Sequence, residues 1–309
     1  MTTLPAPLDW SALPHLPSDQ PRPTLRITPF PDEHWAASRA MIARTARTLP
    51  PGGRVFVMGA GACRDIPVGE LADHFAEVVL CDIREDRLRE GVRSQTDIGR
   101  PQRVRLDVRD LSDVAKRFVP LAEGALTGVR DSRTAVQRVG AVMDGLHPPP
   151  APLTAAADLT VCSGVLTQVD HPVWRAAQDL LEARFGKPLD RNLAEDLRVF
   201  QRRLGHRLRL RLIDQVLAGT RGGGRIYLAD TMRVAHLQIG NGVWTATGAY
   251  RMGKLEHLDE YLDRRVIIGE RSGWTWVDLD GSNLPGGRLW KVEALALTKR
   301  AASGADLVW

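Results

Sequence analysis

The stretch with the most chemical promise is Val55-Phe-Val-Met-Gly59-Ala-Gly61-Ala-Cys63-Arg64-Asp65-Ile-Pro67. An apolar run ends, a glycine turn follows, and a helical pattern begins. Glycine permits positive φ and a close approach of backbone to ligand. The N–H groups at such a helix start can hold an anionic or polar ligand end. Asp65 is placed to cap that helix and Pro67 to occupy its first turn. A second apolar run, Val78-Val79-Leu80-Cys81-Asp82, ends in an acid 21 residues beyond Gly61. A carboxylate there can accept both ribose hydroxyls of an adenosine-containing cofactor. The third run, Val104-Arg105-Leu106-Asp107-Val108, ends in another acid. Asp107 can accept from an adenine amino group, with the Val108 backbone beside it. Taken singly, the glycines also suit a bare βα turn, and each aspartate also suits a turn or loop cap.

These residues require a framework of short strands alternating with helices, as in βα units of a mostly parallel sheet. The expected strands are Arg54–Met58, Glu77–Asp82, Arg103–Asp107, Asp158–Ser163 and Arg225–Asp230. Trp274–Leu279 and Leu289–Lys299 follow as an antiparallel pair joined by a polar turn. The expected helices are Pro67–His74, Ser112–Phe118, Asn192–Leu217 and Lys254–Ile267. Before them, a proline-rich segment leads to a helix capped by Asp32, with Trp35, Ser38, Ile42, Thr45 and Leu49 on one face. Two longer stretches, 119–157 and 171–205, read as helical insertions. The first holds a helix near Asp131–Leu146, and in the second Asn192-Leu-Ala-Glu195 forms a capping-box pattern. The expected organisation is a cap over 1–50 and one doubly wound α/β domain over 51–309.

The nicotinamide fingerprint needs a glycine three positions after Gly61, and Arg64 stands there. As a whole, residues 50–300 resemble a class I S-adenosylmethionine-dependent methyltransferase of a divergent bacterial branch. Gly59-Ala-Gly61-Ala-Cys63 resembles its first motif, Asp82 its acidic ribose position and Asp107 its adenine position. Asp158–Ser163 resembles the strand whose end faces the methyl donor, and Leu217–Leu228 its helix, glycine turn and fifth strand. The resemblance implies a Rossmann-like fold, S-adenosylmethionine as cofactor, and Gly59, Gly61, Cys63, Asp65, Asp82, Asp107, Val108 and Ser163 around it. The chain departs from the pattern at Val57, where an acid is usual, and at Cys63, where a third glycine is usual.

Methyl transfer from a sulfonium asks a protein chiefly for alignment and desolvation. Ser163, Gln168, His171, His206, Asp230 and Thr231 are polar groups near the expected strand ends or on the long helix, and none stands out as a base. The acceptor class implied is a small molecule with an O or N nucleophile. The alternatives are an RNA or protein acceptor, a nicotinamide-dependent oxidoreductase, and a non-catalytic nucleoside-binding relative. Arg203, Arg207 and Arg211 form a helical stripe opposite Leu204, Leu208, Leu212 and Val216, and are expected to be a solvated face.

The composition, 43% hydrophobic and 26% charged over 309 residues, excludes a disordered or fibrous chain. Lysine occurs only at 116, 187, 254, 291 and 299, so arginine supplies nearly all of the basic excess behind a net charge of +5. Cys63, Cys81 and Cys162 are too few for a disulfide framework, and no cluster has metal-ligand spacing. No apolar run approaches the ~18 residues of a membrane span, and the start lacks a secretory pattern. A cytoplasmic location without membrane contact is therefore expected.

Overall fold

The computed structural model describes residues 24–25, 31–95, 98–147, 156–240, 243–251, 258–262, 264–279 and 286–301. Four strands, β2 (Arg54–Met58), β3 (Glu77–Asp82), β4 (Val104–Val108) and β5 (Ala157–Ser163), run parallel with the first part of β6 (Thr220–Gly240). Their order is β4-β3-β2-β5-β6, so the winding reverses between β2 and β5. β9 (Gly286–Lys299) pairs antiparallel with β6, and β8 (Val266–Leu279) pairs antiparallel with β9. Where β5 ends, β7 (Val243–Arg251) takes over the same edge of β6, and the short β1 (Thr24–Leu25) pairs with β7.

Residues alternate between two cores because successive side chains of a strand point to opposite faces. Phe56, Met58, Val79, Cys81, Cys162, Ile226 and Leu228 face a layer of four helices. These are α4 (Ala115–Leu126), α5 (Ser132–Gly145), α6 (His171–Phe185) and α7 (Arg191–Gly219). Val55, Val57, Val78, Leu80, Leu159, Val161 and Tyr227 face α1 (Pro31–Arg47), α2 (Val68–His74) and α3 (Glu85–Ser94). The central strands are buried on both faces, which is why they read as continuous apolar runs. Buried Ser38 on α1 hydrogen-bonds the Tyr227 hydroxyl (3.0 Å), a polar tie between cap helix and sheet.

Several expected boundaries move. The helix expected over Lys254–Ile267 contracts, among described residues, to α8 (Leu258–Leu262). Val266, Ile267 and Ile268 are β-branched and pair with Lys299, Thr298 and Leu297 as the start of β8. β6 runs far beyond Asp230 because β9 supplies a partner along most of its length. The triple glycine at 222–224 is an irregularity within β6, with Gly223 at φ +75°, and not a turn before it. α1 begins at Pro31, which places Asp32 inside the first turn. α7 is capped by Asp190, which accepts from the Asn192 and Leu193 amides, so Asn192 is not the cap. The helix expected near Asp131–Leu146 is α5, which Asp131 caps by accepting from the Thr134 amide (2.8 Å).

Candidate functional site

In an open α/β sheet a ligand crevice forms beyond the strand carboxyl ends where the winding reverses. Here that point lies between β2 and β5, and the turn after β2 occupies it. The Gly59 and Ala60 amides both donate to the Cys81 carbonyl (2.8 and 3.0 Å), which folds the turn back over β3. Gly59 has φ +69°, and a Cβ there would lie 1.9 Å from a Val165 methyl, so only glycine fits. Gly61, at φ +48°, has no atom within 4 Å of a would-be Cβ.

The turn is fastened from α3. The Gln95 amide nitrogen donates to the Cys63 and Ile66 carbonyls (2.8 and 2.9 Å), and its oxygen accepts from the Val68 amide (3.0 Å). Gly91 lets α3 approach, since a Cβ there would lie 2.6 Å from the Ala62 carbonyl carbon. The sequence carries no distinguishing signal at Gln95. It also placed Asp65 at the helix cap, and that expectation is corrected: α2 begins at Val68 with no side-chain cap.

Asp65 instead accepts a 2.5 Å hydrogen bond from Ser163 at the end of β5, so two neighbouring βα loops join across the crevice. Burial raises the Asp65 carboxyl above its ordinary pKa, opposed by the Ser163 bond and by the Arg39 charge. Cys63 has the left-handed φ of +52° and a buried side chain. Its thiol is pushed up to about 12 by burial and by the Asp65 and Asp82 charges. Cys63 therefore belongs to the underside of the turn as a protonated thiol. Burial similarly holds Cys162 protonated.

Asp82 emerges at the end of β3. One carboxylate oxygen accepts from the Gly61 amide (2.9 Å) and the other from the Arg84 amide (3.0 Å). A carboxylate offers about four lone-pair sites, so about two remain on an oriented group. Asp107 is ion-paired with Arg109, whose own amide donates to the Asp82 carbonyl (3.0 Å). Val108 and Ile83 are about half exposed, 49% and 48%. Two carboxylates and two apolar side chains thus share one edge of the sheet.

The remaining polar candidates separate. Gln168 and His171 are exposed, and His206 is exposed on α7. Asp230 is buried, accepts from the Thr167 hydroxyl and the Thr231 amide (both 2.8 Å), and is pushed up to about 7 by burial. The arginine stripe is only in part a solvated face: Arg203 is exposed, while Arg207 and Arg211 are half-buried. Arg203 pairs with Asp144 (3.0 Å), and Arg207 donates to the Met143 and Asp144 carbonyls (2.9 and 3.1 Å). The Arg211 Nε is enclosed. This side of α7 seats the C-terminal end of α5, where carbonyls lack helical partners.

From β4 to β8 the sheet reads 3-2-1-4-5-7-6 when its seven principal strands are numbered along the chain. The fold is that of the class I methyltransferases. No family model matches the chain, and no curated protein does. Among solved structures it is similar to an rRNA methylase from Streptococcus thermophilus, at 14% identity and TM-score 0.36, covering 84% of this chain and 95% of that one. It is similar also to an S-adenosylmethionine-dependent methyltransferase from Clostridium acetobutylicum, at 12% identity and TM-score 0.40, covering 88% and 93%. TrmK of M. capricolum, in complex with S-adenosylhomocysteine, is 7% identical with TM-score 0.37, covering 85% and 69%. Among the described residues no helix is long and apolar enough to cross a membrane.

Proposed function

We propose that this protein binds S-adenosylmethionine at the β2–β5 crevice and transfers its methyl group to an O or N nucleophile of a small molecule. The observation that carries the reading is the Gly61–Asp82 hydrogen bond. It holds a carboxylate beside an open glycine turn with acceptor capacity left for two ribose hydroxyls. The residues fit the group in kind. Asp82 would hold the ribose, Ile83 and Val108 would flank the adenine, and Asp107 would accept from its amino group through the lone pairs that Arg109 leaves. Cys63 would contribute backbone only.

When bound, the cofactor supplies a sulfonium methyl already activated for displacement by a lone pair, leaving as a neutral thioether. The chain's part is positional: the Gln95-fastened turn fixes one wall, and the Ser163–Asp65 bond fixes the adjoining one. The small-molecule reading is supported over an RNA acceptor by where the arginines go. Arg203 and Arg207 are committed to α5, and Arg84, Arg87 and Arg89 beside the site pair with Asp86, Glu90 and Glu85. RNA binding by phosphate contacts needs cationic side chains left over for phosphates.

The test is transfer of radiolabelled methyl from S-adenosylmethionine, with small-metabolite and total-RNA fractions offered separately. Label in the small-molecule fraction supports the reading. Label in RNA alone would replace the acceptor class, and no transfer to any fraction would favour a non-catalytic binding role.

A further inference from the structure

The loop after β5 forms a wall of the crevice. Ser163 bonds Asp65, and the Val165 side chain fills the space where Gly59 lacks a Cβ, so the loop meets the β2 turn at both residues. Between them the Gly164 amide donates to the Ala229 carbonyl of β6 (2.8 Å), and a Cβ on Gly164 would meet open space. The chain then turns, with the Gln168 amide bonded to the Val165 carbonyl (2.9 Å), and half-buried Thr167 stands in that turn. Its hydroxyl donates to Asp230 (2.8 Å), the residue after Ala229, whose carboxyl lies buried behind the wall. A buried carboxyl is costly unless it is well paired. Its donors here are neutral, the Thr167 hydroxyl and the Thr231 amide. The charged and titratable groups around it are Arg209 of α7, Cys162 of β5 and Glu293, its register partner on β9, which is paired with Lys291 (3.4 Å). Burial outweighs these and holds the carboxyl up at about 7, where a group can both take and release a proton near neutral pH.

A hydroxyl that donates to a carboxylate keeps both lone pairs for an incoming donor. We infer that Thr167 and Asp230 form a proton relay for the methyl acceptor: Thr167 accepts the proton of its O–H or N–H group and passes its own to Asp230. The inference rests on the methyl-transfer reading above and narrows its substrate class to nucleophiles that still carry a hydrogen. Atoms and charge balance: the acceptor's lone pair takes the methyl, the carbon–sulfur pair stays on the departing thioether, and the acceptor's lost proton is matched by one gained at Asp230. The cation's charge and the carboxylate's charge disappear together. Thr167 touches the acceptor, and Asp230 acts through it.

Two measurements on the full chain test this. In the first, with no acceptor present, infrared difference spectra against Asp230→Asn follow the carboxyl as pH changes. It should titrate near 7, and Thr167→Val, which removes a hydroxyl that favours the charged form, should move the midpoint up. A carboxyl with no midpoint between about pH 5 and 9 would overturn the relay. In the second, transfer of radiolabelled methyl to the small-metabolite fraction is timed, beside calorimetric titration of S-adenosylhomocysteine. The rate of the unaltered protein should rise with pH to a plateau above about 7, because only the ionised carboxyl takes the proton. Asp230→Asn and Thr167→Val should each lose that rise and about a hundredfold in rate, with S-adenosylhomocysteine affinity within twofold. Thr167→Ser, which keeps the hydroxyl, should restore most of the rate. Unchanged rates in the first two variants, or affinity lost in step with rate, would overturn the relay and leave the methyl-transfer reading standing. No transfer to any fraction by the unaltered protein would remove that reading and the relay together.

Discussion

The Gly61 amide and the Asp82 carboxylate are joined by a 2.9 Å hydrogen bond that crosses from the β2 turn to the end of β3. Asp82 is consequently both a fastener of the turn and an oriented acceptor. Removing it entirely, as in Asp82→Ala, strands two backbone amides. Asp82→Asn keeps one acceptor oxygen and is the cleaner probe. A single charge-assisted bond is worth about 1.5–3 kcal/mol before context discounts it. Asp82→Asn should therefore weaken S-adenosylhomocysteine binding about tenfold, while a denaturant melt of the free protein shifts less than for alanine, because only one of the two backbone amides then faces an NH2 in place of an acceptor. Alanine should lower both, and an alanine variant with unchanged affinity would strip Asp82 of its ribose role.

The two glycines of the turn should behave differently. Gly59→Ala places a methyl 1.9 Å from Val165, at positive φ, and both the clash and the backbone strain oppose it. A loss of several kcal/mol is expected in urea denaturation, on the order of the sum of those two effects, and Val165→Ala should restore part of it. Gly61→Ala meets open space and should cost only the left-handed strain, about 1–2 kcal/mol. Equal losses would show that the Val165 contact does not govern the turn.

Asp230 predicts a pH dependence. Burial pushes its carboxyl up to about 7, offset in part by the Thr167 and Thr231 bonds and the Arg209 charge. In the unfolded chain an aspartate titrates near 3.9. Between about pH 4 and 7 the folded state holds a proton that the unfolded state has released, so this residue's contribution to stability falls as pH rises through that window and levels off above it. Asp230→Asn removes the titration and keeps an acceptor for Thr167. It should be more stable than the parent at pH 8 and no more stable at pH 5, as read from melts at the two pH values.

The arginines on α7 predict an effect on packing. Arg207→Met removes a charged donor to two carbonyls at the end of α5, of which Met143's also accepts from the Leu146 amide, and should cost about 1–3 kcal/mol, since bonds from charged donors are worth about that. Filter-binding to unrelated RNAs should be weak and unaltered by the change. Tight RNA binding abolished by it would show that the stripe faces a ligand after all.

Much of this was legible in the residues. Val55–Met58 and Val78–Cys81 are runs apolar on both faces, and only a parallel sheet covered on both sides buries such runs. Gly59 and Asp82 followed from their place at the ends of those runs. Arg207 was misread because an α-helical stripe of arginines looks the same whether water or the carbonyls of another helix receive it. Gln95 and the Asp65–Ser163 bond could not be read, since each depends on loops far apart in sequence meeting in the crevice. The contraction of the helix before β8 had a local signal, the β-branched Val266-Ile267-Ile268, whose preference for a strand outweighed the helical spacing around it.

The most direct measurement is calorimetric titration of S-adenosylhomocysteine into the full chain, beside NAD as control. One site per chain is expected, with no heat from NAD, and a matching rise in melting temperature equivalent to about 2.7 kcal/mol at a hundred times the dissociation constant. Saturable binding of NAD with none of S-adenosylhomocysteine would contradict the account.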